Sequence, residues 1–387
     1  MNKVKLGLIG VGNMGSMHVK SIGELNNCEL AAICDRKESV LDRYADAPFA
    51  KFRDTETFFK AADIDAVLIA VPHYSHVPLA LQSLELGKHV IVEKPIAVEK
   101  ADACRLVAAI KAHPELKVAA MFNQRTIPAH RKIKQLIDSG ELGAIRRVNW
   151  IITDWFRSQS YYDSGEWRAS WRGEGGGVLI NQCPHQLDLM QWFFGMPDEV
   201  YARMSFGKYH KIEVEDDVTA FLSYPGGATG VFIASTGEAP GTNRLEITAE
   251  RGRLVFEGGK LSFLRNEIET AEFCRTTPTF FERPPVWEAA IPAEAGNPHA
   301  HRDIIENFCT AVLTGSPLLA PAEEGIRGLE LGNAMLLSHL ASRPVKLPID
   351  AAEFSNHLAK LIANSTYQKT EVAAGTPPPD LSQSYGA

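Results

Sequence analysis

The stretch that decides the fold is Val4-Lys5-Leu6-Gly7-Leu8-Ile9-Gly10-Val11-Gly12-Asn13-Met14-Gly15. A short apolar run, Val4–Ile9, stops at a turn of the form G-x-G-x-x-G, and an amphipathic stretch from Met14 to Leu25 follows. Strand, glycine turn and helix in that order are the context in which this pattern means a nucleotide site. Gly10 permits the tight turn, Gly12 lets the backbone approach a pyrophosphate, and Gly15 lets the helix pack close to the strand. The helix start, with Asn13 and Met14 in the turn, offers N–H groups and a positive dipole end to phosphate. An acidic residue is expected about 20 positions later, at the end of the second strand. Asp35 in Ala32-Ile33-Cys34-Asp35 stands there. Its carboxylate suits two ribose hydroxyls and repels a 2′-phosphate, which favours NAD. Arg36 beside it keeps NADP open, because a guanidinium can hold the extra phosphate.

Outward from this turn, short apolar runs alternate with amphipathic stretches. Val4–Ile9, Glu29–Cys34, Ala66–Val71, His89–Val92 and Val118–Met121 predict buried strands, with helices near Met14–Leu25, Val77–Leu86 and Lys100–Ala112. This alternation predicts βαβ units on a parallel sheet, an α/β Rossmann domain over 1–122. The next segment changes character. Pro128–Ser139 is helical, Ile145–Trp155 alternates as a strand, and Phe156–Gly177 shows no period and predicts a long functional loop. Asn181–Phe194 follows as a helix. Val218–Tyr224, Thr229–Ser235, Arg244–Thr248, Arg253–Phe256 and Lys260–Leu264 then run as strands between glycine turns. Helices near His301–Leu313 and Glu323–Leu340 close an α+β domain over 123–365, built on a large, mostly antiparallel open sheet. The Gly- and Pro-containing segment 366–387 predicts a disordered tail.

The length, 387 residues, allows two or three cores, and the motifs place two. Forty basic against 47 acidic residues give a net charge of −7, which argues against nucleic acid as partner. No apolar run approaches the roughly 20 residues of a membrane span, and Val4–Ile9 enters a glycine turn rather than a signal-peptide cleavage site. Six scattered cysteines, none in C-x-x-C spacing, predict reduced thiols in a cytoplasmic protein and no metal site.

Two further stretches carry chemistry. Glu93-Lys94-Pro95 follows the strand His89–Val92, and ligands of open α/β sheets bind at the carboxyl ends of strands. A lysine there can exchange a proton with a hydroxyl. In Gly175-Gly176-Gly177-Val178-Leu179-Ile180-Asn181-Gln182-Cys183-Pro184-His185-Gln186-Leu187-Asp188, residues 181, 185 and 188 share a helical face. Pro184 belongs in a first turn, so the helix can begin at Gln182–Pro184 with Asn181 as its cap. His185 is the second candidate for proton exchange. Trp155, Tyr161, Tyr162, Trp167, Arg168, Trp171 and Arg172 supply aromatic and cationic contacts of the kind a sugar needs, or packing between the sheet and a neighbouring subunit.

These motifs together resemble the Gfo/Idh/MocA family of oxidoreductases. The resemblance runs from Val4 to about Ile349. It rests on Gly10 to Gly15, Ala70-Val71-Pro72-His73 with His76, Glu93-Lys94-Pro95, Asn123-Gln124-Arg125, the glycine run with His185 and Asp188, and the ending around Ser338 and Val345-Lys346-Leu347-Pro348. It implies NAD(P)-dependent oxidation or reduction of a carbinol of a sugar, glycoside, anhydrosugar or inositol. It implies further cofactor contacts at Val71, Pro72, His73, His76, Glu93, Lys94 and Asn123. Lys94 and His185 are implied to work at the reacting carbinol, with Asn181 as a positioning group. Substrate contacts are expected at Lys94, Arg125, Trp155, Arg168, Asn181 and His185. Many dehydrogenases of the family carry aspartate where this chain has Asn181, and an amide takes up no proton at neutral pH. Two alternatives follow: NAD-dependent glycoside cleavage through transient oxidation without net redox change, and a non-catalytic nucleotide-sensing regulator. The exposed face of a large sheet predicts a homodimer or homotetramer.

Overall fold

The computed structural model describes residues 3–165 and 167–367. Glu166 and 368–387, most of the expected tail, lie outside the described residues. Six strands form the first sheet: β1 (Val4–Ile9), β2 (Cys28–Cys34), β3 (Ala50–Phe52), β4 (Ala66–Ile69), β5 (His89–Val92) and β6 (Val118–Ala120). All pair in parallel, in the order β3-β2-β1-β4-β5-β6. The order reverses direction at β1, so the carboxyl ends of β1 and β4 open a crevice there, the usual place for a dinucleotide. Strands β4 and β6 are buried throughout, as expected of a sheet covered by helices on both faces.

The second sheet has nine strands: β7 (Ile145–Ile152), β8 (Glu199–Phe206), β9 (Glu215–Ser223), β10 (Thr229–Ser235), β11 (Asn243–Ala249), β12 (Gly252–Glu257), β13 (Lys260–Asn266), β14 (Val286–Ile291) and β15 (Val345–Lys346). Their order is β14-β13-β12-β11-β7-β10-β9-β8-β15, antiparallel except for the β7–β10 pair. One face takes the core: Val148, Trp150 and Ile152 on β7 alternate with half-buried or exposed residues. Helices Pro184–Phe194 and Gly325–Ala341 pack on this side.

The two cores do not divide at one point in the chain. Helix Ala300–Thr314 returns to the first core, where Ile304, Ile305, Phe308 and Cys309 are buried with the Rossmann strands. The six cysteines are unpaired. Among the described residues, no helix is long and apolar enough to cross a membrane.

Candidate active site

Gly10 has φ +88°, and a Cβ on it would lie 2.3 Å from the Ala70 carbonyl oxygen. A Cβ on Gly15 would lie 2.0 Å from the Gly10 carbonyl oxygen. Both glycines are therefore required by the protein itself. Gly12 is different, because a Cβ there would meet nothing within 4 Å. The open side of Gly12 and the start of helix Asn13–Gly23, with no side-chain cap and no acidic residue in its first turn, fit a phosphate. Asp35 closes the turn: Oδ2 accepts from the Val11 N–H at 2.9 Å and Oδ1 from the Lys37 N–H at 2.9 Å. Arg36 is exposed beside it. Arg43 donates to the Val11 carbonyl at 2.8 Å, a brace from outside the motif.

Lys94 leaves the end of β5 and crosses to the other domain. Its Nζ donates to the Asn181 carbonyl at 2.8 Å. Burial pushes the Lys94 pKa down to about 8; Arg168 and Arg157 add to this, while Glu93 and Glu174 oppose it. Burial also opposes the charge of Glu93, but His18 outweighs it: Nε2 lies 2.7 Å from Glu93 Oε1, and the carboxyl is held at about 2. His185 is buried and its Nδ1 has no partner among the described residues. Burial first, then the Lys94 and His301 charges, press its pKa well below the ordinary imidazole range, so the ring is neutral. Asn123 donates to His301 Nδ1 at 3.2 Å, and its Oδ1 has no partner among the described residues.

The segment around Asn181 is not one helix. Val178–Asn181 is a short turn, and the long helix starts at Pro184 with Cys183 as N-cap. The proline places the break as its chemistry requires, but Asn181 is not the cap. Its side chain instead donates to Glu174 Oε1 and accepts from Tyr161 Oη at 3.4 Å. Tyr161 Oη also receives Arg168 Nη1 at 2.8 Å and Gln182 Nε2 at 3.2 Å. The Arg168 guanidinium lies 4.6 Å from the ring centres of both Tyr161 and Trp167, and Trp167 meets His73 edge-on at 4.8 Å. Lys94, Asn181, Tyr161 and Arg168 thus form one hydrogen-bonded chain.

Several expected roles change. Arg125, expected among the substrate contacts, forms a fork on Asp188 at 2.7 and 2.6 Å and reaches Glu324 at 2.6 Å. It is 2 % exposed, and these contacts clamp the helix of His185. His76, expected at the cofactor, places both ring nitrogens 2.7 Å from the carbonyls of Pro95 and Val71, and so braces Val71 and Pro72 against the Lys94 loop. Tyr162 and Trp171 are core residues: Tyr162 Oη bonds Thr236 at 2.7 Å, and Trp171 packs edge-on against Phe206. Arg172 reaches the Ser365 carbonyl at 3.4 Å. Trp155 stays half-buried, with Arg157 over its ring at 5.2 Å.

Residues 4–120 match the model of an oxidoreductase family with an NAD-binding Rossmann fold, and residues 130–255 match the GFO/IDH/MocA C-terminal domain. The chain belongs to the Gfo/Idh/MocA family. Among the relatives of this Gfo/Idh/MocA chain, the inositol 2-dehydrogenase of Rhizobium meliloti is 25% identical over 357 residues, 89% of this chain and 99% of that one. The rhizopine catabolism protein MocA of Rhizobium meliloti is 27% identical over 195 residues, 50% of this chain and 58% of that one. The WlbA dehydrogenase of Bordetella pertussis, crystallised with NADH and UDP-GlcNAcA, superposes with a TM-score of 0.76 at 25% identity, covering 90% of this chain and all of that one. The cofactor class of this Gfo/Idh/MocA chain is therefore NAD, and the fold is a Rossmann domain joined to a mostly antiparallel sheet.

Motif reading of the Gfo/Idh/MocA chain missed two buried carboxyls. Glu174, 1 % exposed, lies against Asn181. Glu215 accepts from the Leu179 N–H at 3.2 Å while its Oε2 has no partner among the described residues, and burial pushes it up to about 7. A Cβ on Gly177 would lie 2.0 Å from the Glu215 carbonyl oxygen, so the glycine run is shaped by this strand.

Proposed function

We propose that this chain is an NAD-dependent dehydrogenase that transfers a hydride between the nicotinamide and a carbinol carbon of a sugar, glycoside, anhydrosugar or inositol. The observation that carries this reading is Lys94: half-buried, held on the Asn181 carbonyl, and tuned to about 8, a value suited to proton exchange near neutral pH. In the oxidation direction Lys94 Nζ takes the hydroxyl proton while the carbon gives up its hydride. NAD, when bound at the glycine turn, supplies the hydride acceptor. Neutral His185 acts beside it as a hydrogen-bond partner for the same hydroxyl, since its depressed pKa leaves it a poor proton store. Half-buried Trp155, Tyr161 and Trp167 present aromatic faces for the C–H side of a sugar ring. Arg168, hydrogen-bonded into the Lys94 chain, supports a second reading in which the sugar carries a carboxylate. The UDP-GlcNAcA in the Bordetella relative's structure fits that reading. We also propose a homodimer or homotetramer, in which the sheet face that exposes Phe221 is covered. The unpaired thiols suit the reducing cytoplasm.

The test is an absorbance screen at the reduced-nicotinamide band with NAD and NADP, over free sugars, inositols, anhydrosugars, glycosides and uronic acids. Reduction of NAD by a carbohydrate, lost in Lys94→Ala, is expected. Aglycone release without cofactor consumption would replace this reading by redox-neutral cleavage. NAD binding with no turnover across the screen would replace it by nucleotide sensing. A monomer by light scattering would refute the assembly.

A further inference from the structure

The lysine of the proposed reaction belongs to the Rossmann domain, but its hydrogen-bond acceptor belongs to the other domain. The side chain of that acceptor, Asn181, is neutral and cannot itself balance the lysine's charge. A carboxylate is nevertheless present, seven residues earlier in the chain. Glu174 Oε1 accepts from the Asn181 amide, and Glu174 Oε2 accepts from the Ala169 N–H at 2.6 Å. Its main chain is held as well: the carbonyl faces His73 Nδ1 at 3.0 Å, and the N–H donates to the Ser170 carbonyl at 2.8 Å. The next residue, Gly175, has φ +86°, and a Cβ on it would lie 2.3 Å from Val98. The backbone therefore enters the site along a path that fixes Glu174 under Asn181.

We propose that Glu174 is a positioning residue of the proton-transfer site: it supplies the carboxylate that position 181 lacks, orients Asn181, and balances the positive charge of Lys94. This rests on Lys94 being the acid/base of the proposed function. Asn181 ties the two together, its amide on Glu174 and its carbonyl on the Lys94 ammonium. The other charged or titratable groups facing Lys94 are Glu93, Arg157, Arg168, His73, His76, His185, His301 and Cys183. Glu93 is paired with His18. Glu93 still supports the Lys94 charge, and more strongly than Glu174, but from the Rossmann side; Glu174 is the carboxylate that answers Lys94 and the two arginines from the C-terminal side. The direction agrees: Glu174 raises the Lys94 pKa, whereas both arginines lower it.

The experiment reads Lys94 directly and needs no substrate. The full chain is labelled with [ε-13C]lysine, the Lys94 signal is assigned by its loss in Lys94→Arg, and its shift is followed against pH. The wild-type midpoint is expected at about 8. Glu174→Gln removes the charge at nearly constant shape and is expected to lower the midpoint by about one pH unit. The swap Glu174→Gln with Asn181→Asp reverses the hydrogen bond, since the Gln amide then donates to the Asp carboxylate, and is expected to return the midpoint to near its wild-type value. An unchanged midpoint in folded Glu174→Gln would overturn the proposal. So would a swap that fails to restore it. If Glu174→Gln does not fold, Asn181→Asp alone decides: a second carboxylate is expected to raise the midpoint, and no change would overturn the proposal. A midpoint that moves as expected in a protein that turns over no carbohydrate would refute the proposed function and leave the hold of Glu174 on Lys94 standing. With a substrate in hand, the kcat limb governed by Lys94 should move with the NMR midpoint, which a purely structural role would not produce.

Discussion

Replacing Arg125 by methionine separates a structural clamp from a substrate contact. Arg125 joins three parts of the chain: its own turn after β6, Asp188 in the helix of His185, and Glu324 just before helix Gly325–Ala341. The Asp188 fork is the dry part, with both side chains at 2 % exposure or less; Glu324 is 32% exposed and can turn to water. Methionine keeps most of the volume and removes the charge. Asp188 then keeps only Gln191 Nε2, at 3.0 Å. Breaking a buried pair on one side costs about 3–5 kcal/mol, because a buried charge is left without a partner. The exposed Glu324 arm adds at most about 1 kcal/mol. A total near 4 kcal/mol corresponds to a fall in melting temperature of about 8–16 °C at roughly 2–4 °C per kcal/mol. Thermal unfolding followed by near-UV circular dichroism measures it. Arg125→Met with Asp188→Asn should recover a good part of the loss, since the stranded charge is then gone. A melting temperature within about 2 °C of wild type, with a KM for the carbohydrate raised tenfold or more, would refute the clamp and restore Arg125 as a substrate contact.

Three other perturbations test the site. Gly12→Ala meets no protein atom, so stability should stay within about 0.5 kcal/mol, while NAD affinity by calorimetry should fall about tenfold or more from crowding of the phosphate. Gly15→Ala puts a Cβ on the Gly10 carbonyl and should lose about 1–3 kcal/mol of stability as well as affinity. For Lys94 the unprotonated amine is the base, so kcat/KM for oxidation should climb as pH rises through about 8, and the reverse reaction should fall there. Lys94→Arg should lose the limb and about two orders of rate. Glu215 has a raised folded pKa of about 7, so its contribution to stability is greatest below the ordinary carboxylate range and is lost as pH rises to about 7. Glu215→Gln should remove roughly 3 kcal/mol of this pH dependence, read as the difference between denaturant midpoints at acid and alkaline pH; equal slopes in both proteins would refute the assignment.

The parts legible in the sequence are those set by local backbone chemistry. The Gly10 and Gly15 requirements arise from carbonyls five residues apart and from the adjacent strand, so a spacing pattern captures them. Several strands that bury one face announce themselves by alternation, as β7 does, but β8 alternates in the same way and was not predicted, nor was the three-residue β3. β14 escaped because five of its six residues are exposed, and β15 because it has only two. The Trp-rich loop has no period, so nothing local separates Trp171, which packs in the core, from Trp167, which packs on Arg168. Glu174 was illegible for the same reason: its meeting with Asn181 depends on how the loop returns to the glycine run. The helix break before Pro184 was legible, but the new role of Asn181 was not.

The placement of Lys94 explains why two domains are needed for one acid/base. On the Rossmann domain alone, the lysine would end a strand at an open crevice, solvated and near its ordinary pKa of 10.5, too basic to release its proton readily at neutral pH. Docking of the glycine run buries it, supplies the Asn181 carbonyl as acceptor, and brings Arg168 and Arg157 close enough to repel its proton. Glu174 limits that repulsion. Within each domain a brace steadies its side of this contact: His76 holds the Lys94 loop through the Pro95 and Val71 carbonyls, and Arg125 holds the helix of His185 through Asp188. Loosening the interface should therefore let water reach Lys94 and return its titration toward 10.5 before the Rossmann sheet itself unfolds. A low concentration of denaturant should then abolish turnover while NAD binding persists, and loss of both at one midpoint would show that the domains do not separate in this order.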